Sequence, residues 1–134
     1  VKVLYHLFVN GIPRAQSRPR LGQYGNFYSN SSEVKAWKAQ IEAAFLPCRR
    51  PTIVGPVILR VCFYLPRPKK MKNAGNSLNV PHTKRPDTDN LLKAVMDSMS
   101  DVGVWKDDAQ VYRTDAGKYY ADRKPGAQII VEGE

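Results

Sequence analysis

The chain of 134 residues carries 21 Lys and Arg against 12 Asp and Glu, a formal net charge of +9, with 43% hydrophobic and 25% charged residues. That length holds one core and is too short for two domains, and no apolar run approaches the ~18 residues of a membrane span. The basic excess points to a polyanionic partner, nucleic acid before a membrane surface.

Val1 to Val9 is almost wholly apolar and β-prone, which predicts a central strand broken by Asn10-Gly11. His6 and Asn10 interrupt the run, so no signal peptide is expected. Cys48 and Cys62 have no metal-like spacing, and a reducing cytoplasm is the expected compartment. Arg14, Arg18 and Arg20 then gather on a proline-stiffened stretch with no acid between them. Guanidinium forks match phosphate oxygens, so these three are candidate DNA contacts; the plainer alternative is a solvated basic loop. Tyr24, Phe27 and Tyr28 follow, suited to packing down a loop or to stacking on exposed bases.

Asn30-Ser31-Ser32-Glu33 resembles a capping box. Val34, Trp37, Ile41, Ala44 and Phe45 then recur at helical spacing, and Pro47 with Arg49-Arg50-Pro51 ends that helix. Pro56 to Leu65 alternates as a second strand, with Val57, Leu59, Val61, Phe63 and Leu65 on one face. Pro66 to Pro86 follows as a loop of about twenty residues without regular structure, a length usually reserved for function or disorder. It contains Arg67, Lys69, Lys70, Lys72, Lys84 and Arg85 and no acid, and reads as a DNA-engaging arm that works through phosphates. His82 is its one group able to move a proton near neutral pH.

The arm leads into the most informative stretch, residues 87–108. Pro86 marks a boundary, and Leu91, Leu92, Val95, Met96, Met99 and Val102 recur at helical spacing. Asp87, Thr88 or Asp89 can cap this helix, and Gly103 is placed to end it. Lys93 follows Asp89 by four residues, which sets its ammonium beside that carboxylate. A connection containing Trp105 delivers a further acidic pair, Asp107 and Asp108. Carboxylates without histidine or thiol partners suit Mg²⁺, which takes hard oxygen ligands and keeps several waters. A lysine beside them suits the negative charge that grows on an attacked phosphate. The competing reading has Asp87 and Asp89 merely cap the helix and Lys93 pair on its surface with Asp89 or Asp97, in a non-catalytic DNA-binding module. Val111 to Tyr120 and Ala127 to Glu132 then read as two strands joined in a hairpin around Pro125-Gly126.

The segment Asp87, Asp89, Asn90, Lys93, spaced D-x-D-N-x-x-K, and the run G-V-W-x-D-D-x-Q-V over Gly103 to Val111 resemble the RusA family of Holliday-junction resolvases. Nothing within these motifs departs from the family pattern. The resemblance implies a single α/β (α+β) domain over residues 1–134, strand-helix-strand-helix-strand-strand, a mixed sheet with both helices on one face. It implies a Mg²⁺-dependent endonuclease that resolves four-way DNA junctions as a homodimer. Asp87, Asp89 and one of the later pair would bind Mg²⁺, with Asp108 placed first and Asp107 second. Lys93 would assist at the phosphate, and Asn90 would steady a ligand from behind. A different metal-dependent nuclease, acting on flaps or single strands, is the nearest alternative.

Overall fold

Four alternating apolar stretches pair into one mixed sheet in the computed structural model, which describes residues 1–16, 32–71 and 80–134. Expectations for Arg18, Arg20, Tyr24, Phe27, Tyr28, the capping residues Asn30 and Ser31, and Lys72 lie outside the described residues. The elements in chain order are β1 (Lys2–Asn10), α1 (Ser32–Phe45), β2 (Val57–Leu65), α2 (Thr88–Asp101), β3 (Val111–Tyr120) and β4 (Gly126–Gly133), with single 3₁₀ turns at Leu46–Cys48, Lys69–Met71 and Asp108–Gln110. In space the strands run β1-β4-β2-β3, with β4 antiparallel to both its neighbours and β2 parallel to β3. A parallel pair needs a long crossover, and α2 supplies it.

Two expectations are corrected here. The first strand lies at the sheet edge rather than its centre. The last two strands form no hairpin, because β2 stands between them. Alternation identifies a strand without naming its partner. The amide of Ala121 donates to Leu65 O at 2.7 Å, so the chain leaving β3 steps across the end of β2. Two strand spacings are roughly 10 Å, well within reach of residues 121–125. Gly126 permits the landing: a Cβ there would stand 2.4 Å from Val9 O and 2.6 Å from the Phe8 ring.

Both helices cover one face. Trp37, Ile41 and Phe45 of α1 and Leu91, Val95 and Met99 of α2 share a core with Tyr5, Val9, Leu59, Val61, Phe63, Ile129 and Val131. Tyr5 and Phe45 meet edge to face at 5.1 Å. Ser98, the one buried polar residue among the described residues, donates its hydroxyl to Ala94 O at 2.9 Å. The opposite face carries no helix among the described residues. Register places Phe8, Tyr64 and Tyr119 there in a row, with ring centroids 6.3 and 6.1 Å apart. Cys62 also lies on that face, half-buried, with its thiol pushed up by burial and then by Asp115. No described helix is long and apolar enough to cross a membrane.

Candidate active site

Helix α2 begins where Pro86 rules out further helix upstream. Asp87 holds the N-cap position with extended backbone (φ −72°, ψ 145°), yet its side chain makes no capping hydrogen bond. Asp89 Oδ1 accepts from the Asn90 amide at 2.9 Å. The simplest structural use of Asp87, as a side-chain cap, is therefore not made. The far end of α2 closes as the sequence requires. Gly103 takes φ +82°, its amide donates to Ser100 O at 3.1 Å, and that of Val104 donates to Met99 O at 2.9 Å. This is the Schellman pattern, which turns the chain sharply toward the second acidic pair.

That pair divides its labour. Asp107 caps the 3₁₀ turn, accepting from the Ala109 amide at 2.8 Å in a capping box with Gln110. Asp108, the next residue, accepts from the indole Nε1–H of Trp105 at 2.8 Å through Oδ1. The Gln110 side chain ties the turn to the rest of the protein. Its oxygen accepts from the amides of Lys106 and Asp107, and its nitrogen donates to Ile53 O and Gly55 O, all within 2.9 Å. Sequence reasoning missed Gln110, although the spacing Asp107-x-x-Gln110 is itself a capping-box signal.

The approach to Asp87 is also held. Residues 80–82 pair with the outer edge of β3, through Tyr120 N to Val80 O at 2.9 Å and His82 N to Lys118 O at 3.1 Å. With the turn at Lys69–Met71, this corrects the expectation of a loop wholly without structure: a free sheet edge attracts a partner backbone. The Lys118 ammonium donates to Lys84 O and to Pro86 O. His82 lies against Tyr120 at 4.6 Å, and its imidazole is pushed below its ordinary pKa by burial first and then by Lys118. The segment after β1 crosses the start of α2, where Gln16 N donates to Asn90 O at 3.1 Å. Ala15, Arg85, Pro86, Asp87 and Asn90 line a hollow of about 360 Å³ there.

Lys93 departs from expectation. Its ammonium lies 3.9 Å from Asp97 Oδ1 rather than beside Asp89. Asp97 and Asp89 are equally four residues away, and Asp89 already accepts from Asn90. Lys38 of α1 reaches the other Asp97 oxygen at 3.8 Å. Pairs this long are weak, and Lys93 keeps 43% of its side chain exposed. Among the predicted DNA contacts, Lys69, Lys70, Lys84 and Arg85 are exposed. Arg14 pairs with Glu33 at 3.4 Å, and Arg67 Nε donates to Ala121 O at 2.7 Å.

The donors fit a hard cation in kind: carboxylate oxygens, with one oxygen of Asp89 and one of Asp108 held by hydrogen bonds. No three acidic, histidine or cysteine side chains stand close enough to enclose one ion among the described residues. Mg²⁺ is held through one or two carboxylates plus water and substrate phosphate, without an all-protein cage.

Residues 10–132 match the family profile described as Endodeoxyribonuclease RusA. The chain is 32% identical over 133 residues to "Uncharacterized protein YqaN" of Bacillus subtilis (strain 168), with 92% of each chain covered.

Proposed function

The chain belongs to the RusA endodeoxyribonuclease family, a family of nucleases that resolve Holliday junctions, and from that premise we propose a Mg²⁺-dependent enzyme that cuts four-way DNA junctions by paired nicks. The observation that carries this reading is a set of carboxylates the fold does not consume. Asp87 sits at a helix start without capping it, and Asp108 is held by one oxygen while its neighbour Asp107 does the capping.

Asp87, Asp89 and Asp108 are the candidate ligands, of which one or two, with water and substrate phosphate, would hold Mg²⁺, and the capping bond on Asp107 favours Asp108 over it. When bound, the ion lowers the pKa of a water and stabilises a leaving oxygen. Lys93, loosely paired and part-exposed, can leave Asp97 for the phosphate under attack and offset its growing charge. The Asn90 amide steadies Asp89 from behind, through main chain rather than side chain. Arg85, which lines the hollow beside Asp87, and its exposed sequence neighbour Lys84 would attract the DNA backbone, while Lys118 fixes the carbonyls that precede Asp87. Arg14, Arg18, Arg20, Arg67, Lys69, Lys70 and Lys72 would supply further phosphate contacts. For Arg14, exchange of the exposed Glu33 for a phosphate costs little.

Paired nicks call for two sites, and a C₂ homodimer presents them. The open sheet face supports that assembly. It bears the Phe8–Tyr64–Tyr119 row, and its charges, Arg60 and Arg113 with Asp115 and Glu132, balance on a molecule of net +9. A second copy, itself strongly basic, meets least repulsion there, and the mixed charges are self-complementary across a twofold axis. Four-way, flap and linear substrates, each titrated with Mg²⁺, test the reading. Metal-dependent cutting confined to the four-way junction is expected, and equal cutting of all three would overturn it.

A further inference from the structure

Of the two tryptophans in the chain, both are buried, at 2% exposure for Trp37 and 1% for Trp105. Their indole N–H groups fare differently. Trp37 Nε1 has no hydrogen-bond partner among the described residues, whereas Trp105 Nε1 donates to Asp108 Oδ1 at 2.8 Å. An indole offers one donor and no acceptor, so this contact can serve only an oxygen that carries a lone pair and, best, a charge.

The ring cannot wander. Trp105 is bridged to Ile53, Ile53 N donates to Val104 O at 2.9 Å, and Gln110 binds the carbonyls of Ile53 and Gly55. Asp108 follows three residues later on a turn capped by Asp107. A rigid donor therefore fixes one carboxylate oxygen and fixes the direction of the other. We infer that Trp105 is a positioning residue for the metal site, its indole N–H orienting Asp108 so that the second oxygen meets the cation. The inference rests on the reading of Asp108 as a ligand. Partners behind metal-bound carboxylates change metal affinity by about 10–100-fold when removed.

The two tryptophans provide their own control. Trp105→Phe and Trp37→Phe make the same ring contraction in the same core, but only the first removes a donor from Asp108. Trp105→Phe is expected to raise the Mg²⁺ concentration for half-maximal junction cutting by about 10–100-fold. Trp37→Phe should leave it within about twofold, at a similar loss of melting temperature. Each variant also keeps a single fluorescent indole, which gives a readout apart from cutting. Bound to a four-way junction made resistant with phosphorothioate linkages, the Trp37→Phe protein should change its emission as Mg²⁺ is added, with a midpoint near that for cutting. The Trp105→Phe protein should not respond.

A wild-type Mg²⁺ requirement in Trp105→Phe, or emission from Trp105 indifferent to Mg²⁺, overturns the inference. Should Trp105→Phe fail to fold, the emission of the Trp37→Phe protein decides alone, with its Asp108→Asn derivative expected to lose the response. Wild-type cutting by Asp108→Asn would instead mean that Asp108 is no ligand, a failure of the functional reading and visibly a different one.

Discussion

At the scale of single residues, the four aspartates of the site separate by what already holds them. Asp87→Asn, Asp89→Asn and Asp108→Asn keep shape and remove charge, so each should lose cutting by a factor of about 10² or more. Each should also bind junction DNA at least as tightly, since a charge that repels phosphate is gone. Asp107→Asn preserves a capping side chain and should keep near-normal cutting; a larger loss at Asp107 than at Asp108 would reverse their assignment. His82 carries a second prediction. Its folded pKa lies below the unfolded value of about 6.5, so the unfolded chain takes the proton more readily. The stability it contributes is complete above about pH 6.5 and is lost as pH falls from there toward the folded pKa. His82→Gln should accordingly lose less melting temperature than the parent between pH 7 and 5.5, and matching losses would assign the acid sensitivity elsewhere. The carboxylates were legible because D-x-D before an apolar helix is a local pattern. The partner of Lys93 stayed open between Asp89 and Asp97, which stand at the same spacing, and the Asn90 amide bound to Asp89 is what favours Asp97.

At the scale of elements, both helices and all four strands were readable from periodicity, and Gly103 from its place after the last apolar residue. Pairing was another matter. Whether β3 and β4 join as a hairpin or straddle β2 depends on burial of β2 on both edges, which no local window contains. The same limit hid the return leg of the arm, since residues 80–82 acquire structure only by lying along β3. Lys118 was passed over for a related reason: a lysine inside a strand gives no sign that it will bind two carbonyls some thirty residues earlier. The arm itself is testable by salt. If Lys69, Lys70 and Lys72 meet phosphates, neutralising all three should flatten the salt dependence of junction affinity by roughly two to three units, at about 0.9 per contact. An unchanged slope would reduce the arm to a solvated loop.

At the scale of the whole molecule, charge and topology divide the surface. Both helices pack on one face of the sheet, while the other face, free of helix among the described residues, carries aromatic rings and balanced charge. Tyr64→Glu, between Phe8 and Tyr119, should shift sedimentation from dimer toward monomer at micromolar concentration and leave nicked circles as the lasting product on a cruciform plasmid. A dimer unaffected by this change would place the twofold contact elsewhere. The fold was legible in outline because apolar spacing marks each helix and strand, whereas an assembly surface leaves no periodic trace beyond ordinary strand alternation. The most direct test is where the chain cuts. On a synthetic four-way junction labelled on each strand in turn, nicks are expected at matching positions on one opposed pair of strands with Mg²⁺. No nicks are expected with chelator or with Asp108→Asn. Cuts scattered over all four arms, or the same cuts without metal, would contradict the proposed function.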